Sequence, residues 1–400
     1  MQSLKRKEEM TRRKKVLICS AAGDNSPVSK MLCETGSETV IAGIQKKSAE
    51  STVDIAYLYI PQGWISTVKP LIDLAEQAGI IVKTGEDSPV CRDTTALVSS
   101  LEGRLIRPSY LPDGKLYIED AEVEDCIGIE EAVNCAEGET GKKYFFVSGA
   151  VTNAGFIRAA YGTSIEDIIA IAGGIRDGAK IKAALIGGDS GVYIRADQFE
   201  NMRLEQWDDI FSGSIELIDE SCCIVDILRQ KTHAYRQYSC GKCPLCREGS
   251  HQFQSMINDM ANGKGKTADL ALIPDMARAI KLGAFCKFGR NMARHIQSAL
   301  MVFTEEIEDH VKRKKCPAGI CKAYLNFAIL PDKCSGCGDC MDVCNEDAIE
   351  GKTGYIHMIR DDDCIKCGKC MEICKEQAII TVGSVKPRVP KRLVKVGQFA

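Results

Sequence analysis

The sequence predicts an α+β chain of several domains, and three observations carry that class. From Lys15 to about Gly103, short apolar runs alternate with amphipathic stretches, the order of an α/β domain. From Ser221 to Val311, apolar residues recur at three and four positions, the pattern of packed helices. Near the C-terminus one cysteine run occurs twice, as Cys334-x-x-Cys337-x-x-Cys340-x-x-x-Cys344 and Cys364-x-x-Cys367-x-x-Cys370-x-x-x-Cys374.

Taken in order, residues 1–14 are a charged segment with no apolar stretch behind it long enough for a signal peptide. Residues 15–140 form the first domain: strands KVLIC, DIAYLYI and IIVKT alternate with helices ETVIAGIQKK, WISTVKPLIDLAEQAGI and TTALVSSLEG. Pro108, Pro112 and Gly114 punctuate an irregular stretch at 104–140. Residues 141–217 read as a β-grasp-like module: KKYFFVSGAV, a turn at Asn153 to Gly155, FIRAAYG, the helix SIEDIIAIAGG and the strand IKAALIGG. Residues 218–312 carry four amphipathic helices, a bundle. The doubled cysteine run occupies 313–382, and the basic, proline-broken tail 383–400 reads either as a solvated terminus or as a strap that docks on an acidic partner surface.

The 21 cysteines stand in metal-ligand spacing, unlike a secreted disulfide framework, which places the chain in a reducing cytoplasm. A net charge of −3 offers no basic face for nucleic acid. No window holds about 18 uninterrupted apolar residues, so direct membrane insertion is not expected.

Three thiolates two residues apart bend around one face of an iron-sulfur cube, and the fourth cysteine reaches the other cube. One cluster is therefore expected on Cys334, Cys337, Cys340 and Cys374, the second on Cys364, Cys367, Cys370 and Cys344. This is a bacterial-type 2[4Fe-4S] ferredoxin domain; structural zinc would not need the third step of each run. The proline usual after the fourth cysteine is replaced by Asn345 and Lys375, and a lysine near a cluster eases its reduction. A third set, Cys240, Cys243 and Cys246 with the distant Cys286, suits a single cubane between helices. Cys222 and Cys223 cannot both face one cluster, so they read as buried packing.

The segment Ser239-Cys240-Gly241-Lys242-Cys243-Pro244-Leu245-Cys246-Arg247-Glu248-Gly249 resembles the cluster-binding region of the flavoprotein subunit of respiratory complex I. It resembles equally the relatives of that subunit in soluble NAD-linked and electron-bifurcating hydrogenases and formate dehydrogenases. The likeness extends through Ile218 to Cys223 and through the segment Val147 to Gly174, which resembles that family's soluble-ligand-binding (SLBB) β-grasp module. Two appended ferredoxin clusters are the hydrogenase-type arrangement.

The same resemblance implies FMN and NADH in the first domain, and there the chain departs. The glycine-rich flavin loop expected before KVLIC is absent, removing amides that would cradle a phosphate. The family's acidic stretch after the strand is replaced by Cys19-Ser20-Ala21-Ala22-Gly23-Asp24-Asn25-Ser26-Pro27, and its Cys-Gly-Glu-Glu-Thr by Cys91-Arg92-Asp93-Thr94-Thr95. An arginine in place of that glycine fills the space where backbone must approach a ligand. The expectation is a truncated, degenerate flavin-type domain kept as scaffold, without FMN or NAD(P).

His310, Cys316, Cys321 and His357 lie outside the three cluster sets. They read either as a structural zinc site hinging the ferredoxin module, or as packed thiols and surface histidines. The leading expectation is a subunit that relays single electrons through three [4Fe-4S] clusters, with catalysis in partner chains. Those are a thioredoxin-like [2Fe-2S] subunit and a dehydrogenase or hydrogenase subunit, with soluble ferredoxin a further candidate. Two alternatives stand beside it: a catalytic NAD(P)H dehydrogenase subunit with a remodelled FMN pocket, and an iron-sulfur redox sensor.

Overall fold

Val16 to Cys19 form an unbroken apolar run because strand β1 (Lys15–Ser20) is buried on both faces, as the central strand of a parallel sheet must be. The computed structural model describes residues 13–23, 27–139, 141–160, 162–203, 213–382 and 387–399. The chain divides into two compact units. The first comprises Met1–Glu220, Lys231–Phe253 and Leu272–Val302; the second comprises Ser221–Gln230, Gln254–Ala271 and Phe303–Ala400. The expected charged segment lies outside the described residues up to residue 12.

In the first unit, β1 pairs in parallel with β2 (Ile55–Pro61) and with β5 (Ala121–Gly128). With β3 (Ile81–Gly85) and the short β4 (Tyr117–Ile118), the sheet order is β3-β2-β1-β5-β4. Helices α1 (Pro27–Thr35), α2 (Ser37–Glu50), α3 (Lys69–Gln77) and α5 (Ile129–Glu137) supply apolar side chains to one face of it. Helix α4 (Thr94–Leu101) buries Leu97, Val98 and Leu101 on the other.

A second five-stranded sheet has the order β7-β6-β10-β8-β9. Its strands are β6 (Lys142–Gly149), β7 (Gly155–Ala160), β8 (Ile181–Ile186), β9 (Val192–Arg195) and β10 (Ser214–Asp219). Helix α6 (Ile165–Ile171) packs Ile165, Ile168 and Ile169 into the same core as Phe145, Val147 and Leu217. Ser164 starts that helix by accepting from the amide of Asp167, 3.1 Å away.

Five helices follow where the periodicity predicts four: α7 (Ile224–Tyr238), α8 (Pro244–Ala261), α9 (Asp269–Gly283), α10 (Lys287–Val302) and α11 (Thr304–Val311). The fourth predicted helix breaks at Phe303, and α11 restarts with Glu305 and Glu306 in its first turn, where the helix dipole favours acids.

Within the first unit, α10 docks on β9 through a buried polar knot. His295 Nδ1 donates to the Gly191 carbonyl at 2.9 Å, so its Nε2 accepts from the Tyr193 hydroxyl at 3.2 Å. Tyr235 stacks edge-on against the same imidazole and donates to the Asp189 carbonyl. Burial, aided by the positive charge of Lys231, pushes the His295 pKa down from 6.5 to about 3. The unfolded chain therefore takes up a proton below its ordinary pKa that the folded chain refuses. Stability is fully present above about pH 6.5 and falls by about 1.4 kcal/mol per pH unit as pH drops towards the folded value. Urea unfolding at about pH 7 and pH 5 should show a steeper acid loss for wild type than for His295→Gln.

The second unit ends in two short antiparallel pairs, β11 (Asn326–Ile329) with β14 (Ile379–Val382), and β12 (Ile349–Glu350) with β13 (Met358–Ile359). The tail differs from the expected solvated terminus. The Ile356 amide donates to the Val394 carbonyl at 2.9 Å and the Val396 amide to the Gly354 carbonyl at 3.1 Å. Val394 and Phe399 pack on the core containing Ile329, Ile349 and Ile356. Apolar residues spaced among the lysines and arginines supply this contact; residues 383–386 and 400 lie outside the described residues.

Candidate metal centres

Three glycines allow the first thiol set to converge. A side chain on Gly249 of α8 would meet Ile280 at 2.3 Å, one on Gly283 would meet Leu245 at 2.3 Å, and one on Gly289 would stand 3.3 Å from Cys246 Sγ. Glycine at these positions leaves room for Ile280, Leu245 and Cys246 to pack closely around the thiol set. Burial, with the neighbouring Cys286, Cys240 and Cys243, pushes the Cys246 thiol up to about 11. Burial likewise raises Cys286, with Cys240 among its negative neighbours. Mutually repelling buried thiolates are what a cationic iron core neutralises. The Phe285 amide lies 3.5 Å from Cys243 Sγ, and Ser239 Oγ lies 3.6 Å from Cys246 Sγ. Arg290 donates to the Phe285 carbonyl at 2.8 Å and fixes the loop before Cys286. From the irregular stretch, Arg107 Nε donates to the Cys240 carbonyl at 3.3 Å and the Pro108 carbonyl accepts from Lys242.

The two terminal runs fold as equivalent halves. Gly338 and Gly368 both take positive φ, at 102° and 85°, immediately before the helical turns α12 (Asp339–Asp342) and α13 (Lys369–Ile373). Each turn swings its third cysteine, Cys340 or Cys370, inward, while Cys337 and Cys367 stay exposed. A cavity of about 200 Å³ is lined by Cys344, Cys364, Cys367 and Cys370. A narrower one of about 20 Å³ is lined by Cys334, Cys337, Cys340 and Cys374, with His357. Burial, then the charges of Cys334, Cys337, Cys370 and Cys374, raise Cys340 to about 12. The donor sets are all-thiol, which suits iron-sulfur clusters.

Of the four residues outside these sets, the fold brings three together and removes one. His310, Cys316 and Cys321 meet, but the fourth member is Cys223; all four are buried and their ligand atoms lie within 4.8 Å of one another. His357, expected in this group, instead stands 3.8 Å from Cys334 Sγ, because its hairpin is folded against the first cysteine run. Cys222 and Cys223, expected to pack alike, have different surroundings: Cys223 alone joins the group.

Two of the group's edges are close to those of a tetrahedral zinc site. Bond lengths of about 2.3 Å to sulfur and about 2.0 Å to nitrogen set ligand-to-ligand edges of roughly 3.5 to 3.8 Å. Cys223 Sγ is 3.3 Å from His310 Nε2 and 3.5 Å from Cys321 Sγ. His310 Nδ1 donates to the Glu306 carbonyl at 2.8 Å, which leaves Nε2 bare towards the sulfurs. The amides of Ile320 and Cys321 donate to Cys316 Sγ at 3.3 and 3.5 Å. Side-chain contacts with Cys223, then with Cys321, lower the Cys316 thiol from its ordinary value. Glu306 also accepts from the Ile224 amide at 2.9 Å, so one residue steadies both Cys223 and His310.

In the first domain, two acids accept from backbone amides near Gly23 and at the start of α4. Gly23 N donates to Asp87 Oδ1 at 3.2 Å, and a side chain on Gly23 would collide with the Arg92 backbone nitrogen at 2.9 Å. At the start of α4, Asp93 Oδ1 accepts from Thr95 N at 3.1 Å and Ala96 N at 3.3 Å.

Known proteins share these features. Residues 226–310 match the NADH-ubiquinone oxidoreductase-F iron-sulfur binding region, 333–379 a 4Fe-4S dicluster domain and 144–192 an SLBB domain. Over 381 residues the chain is 31% identical to the NADP-reducing hydrogenase subunit HndC of Solidesulfovibrio fructosivorans, covering 84% of this chain and 77% of that one. It is 29% identical over 260 residues to the F subunit of NADH-quinone oxidoreductase in Streptomyces coelicolor, covering 60% of this chain and 58% of the relative. The Escherichia coli F subunit is 26% identical over 259 residues, 58% of each chain. The chain thus matches little more than half the length of these F subunits. An NAD+-reducing [NiFe]-hydrogenase in the H2-reduced state shares the fold, with a TM-score of 0.68 over 76% of this chain and 57% of that chain at 21% identity. Among the described residues, no helix is long and apolar enough to cross a membrane.

Proposed function

Because the chain belongs to the family of iron-sulfur oxidoreductase subunits that includes HndC and the F subunit of NADH-quinone oxidoreductase, we propose that it relays single electrons within a multisubunit redox complex, without a flavin of its own. The observation that carries the relay is the grouping of twelve thiols into three sets of four. Bound there, [4Fe-4S] clusters supply one-electron chemistry at potentials set by burial, hydrogen bonds and charge. Cys240, Cys243, Cys246 and Cys286 would hold the first. Cys334, Cys337, Cys340 and Cys374 would hold the second, and Cys344, Cys364, Cys367 and Cys370 the third.

The flavin-free reading rests on Asp87, Asp93 and Arg92. Two carboxylates occupy amides a phosphate would need, and they repel an anion. Zinc on Cys223, His310, Cys316 and Cys321 would close the loop 316–321 onto the start of α7 and the end of α11, all within the second unit. Hydride or hydrogen chemistry then belongs to partner chains: a thioredoxin-like [2Fe-2S] subunit and a dehydrogenase or hydrogenase subunit, with soluble ferredoxin as a further exchange partner.

Anaerobic purification with metal analysis and acid-released flavin tests this directly. About twelve iron and about one zinc per chain, without FMN, are expected. Stoichiometric FMN would overturn the flavin-free reading and restore a dehydrogenase.

A further inference from the structure

His357 is almost wholly buried, at 1% exposure, in a loop that could have carried any apolar residue. Among the described residues its Nε2 has no hydrogen-bond partner, an arrangement that simple packing would not select, since leucine or phenylalanine would fill the space without an orphaned polar atom. Its Nδ1 faces Cys334 Sγ at 3.8 Å, and the ring lines the cavity shared by Cys334, Cys337, Cys340 and Cys374. The position is enforced from behind. A side chain on Gly351 would meet the imidazole Cδ2 at 2.1 Å, so the ring lies flat on a backbone that only glycine leaves open. The hairpin is held on both sides, by the Gly354 amide donating to the Gly336 carbonyl at 2.9 Å and by the tail contact from Ile356 to Val394.

We propose that His357 donates an Nδ1–H···Sγ hydrogen bond to Cys334 and thereby raises the reduction potential of the cluster on that cysteine set above what its thiolates alone would give. This deepens the relay reading and rests on it. A ligand thiolate only accepts, so the neutral ring carries its proton on Nδ1 and leaves Nε2 bare, the less costly of the two ways to leave that atom without a partner. Reduction adds negative charge to the cluster and its sulfurs, so a donor aimed at one sulfur stabilises the reduced form more than the oxidised form. His357 is a positioning residue: it acts through Cys334.

The test is an EPR-monitored redox titration of the full chain for wild type, His357→Leu, His357→Gln and Gly351→Ala. With iron content unchanged, His357→Leu should shift the reduced-to-oxidised ratio of one cluster about tenfold towards oxidised at fixed ambient potential, a shift of about 59 mV for a one-electron couple. The other two clusters should hold their midpoints. His357→Gln, which keeps an N–H donor, should recover part of the shift. Gly351→Ala, which keeps the histidine but displaces the ring, should resemble His357→Leu. Pulsed EPR on deuterium-exchanged wild type should show an exchangeable proton coupled to one cluster, lost in His357→Leu. Full iron with unmoved midpoints and no such coupling would overturn this proposal and leave the relay intact. Wild-type iron near eight per chain, or none in this set, would overturn the relay reading itself.

Discussion

Replacing Cys223 with alanine should release the zinc proposed on Cys223, His310, Cys316 and Cys321, while replacing His357 with alanine should leave it bound. The two substitutions separate the ligand set the fold assembles from the one suggested by residue type alone. Cys223, His310, Cys316 and Cys321 are buried together, whereas His357 lies against Cys334. A structural zinc contributes its binding free energy to folding, of order 10 kcal/mol or more in small zinc modules. Removal of one of four ligands should lower the unfolding free energy of the second unit by several kcal/mol. A cysteine-to-alanine change in ordinary packing costs only about 1 kcal/mol. Chelation distinguishes the causes. Prolonged treatment with a zinc chelator should bring the wild-type midpoint down to that of Cys223→Ala and leave the variant where it was. Full zinc in Cys223→Ala, or its loss in His357→Ala, would refute the assignment.

The contrast between Cys223 and the cluster cysteines shows what a sequence discloses. Cys334, Cys337 and Cys340 declare a site because local backbone geometry fixes their spacing, so three ligands can be read without any tertiary knowledge. The runs of 15–20 and 55–61 are legible for a related reason: only a doubly buried strand tolerates such continuous apolar composition. Cys223 carries no such mark. It stands 87 residues before His310, and the adjacent Cys222 makes the pair resemble packing. The usable signal was negative, since only one of two neighbours at a helix start can face inward. His357 misleads in the opposite sense: a histidine between cysteine runs has the chemistry of a ligand, but the hairpin register turns it towards Cys334. The tail was obscured by composition, its basic residues outnumbering Val394 and Phe399, which make the contacts.

The first domain was legible in the alternation of 15–103, whereas 104–140, expected to be irregular, holds β5 (Ala121–Gly128), which pairs with β1, and helix α5 (Ile129–Glu137). The Arg92 side chain lies 3.2 Å from where a Gly23 side chain would begin. What the residues alone could not disclose is that Asp87 takes the Gly23 amide. That contact spans 64 positions and depends on the parallel sheet bringing strand ends together.

Pairwise removal of cysteines should show that the two terminal clusters exchange their fourth ligands. The cavity lined by Cys334, Cys337 and Cys340 is completed by Cys374, and that lined by Cys364, Cys367 and Cys370 by Cys344. The cause is the pairing of β11 with β14: it brings the end of the second run beside the start of the first, so each run's last cysteine faces its neighbour's turn. Two cysteines on one cluster should cost one cluster when removed together, and two on different clusters should cost two. Cys334→Ala with Cys374→Ala should therefore retain about eight iron per chain, against about four for Cys334→Ala with Cys344→Ala. Far-UV circular dichroism on the same samples separates cluster loss from unfolding, since α1 to α11 and both large sheets lie outside this segment. The reverse order of iron contents would mean that each run keeps its own fourth cysteine, so that electrons would pass between two self-contained sites. With shared ligation the peptide of each run touches both clusters, so a change at Cys344 or Cys374 should shift the midpoint of the surviving cluster as well as abolish the other.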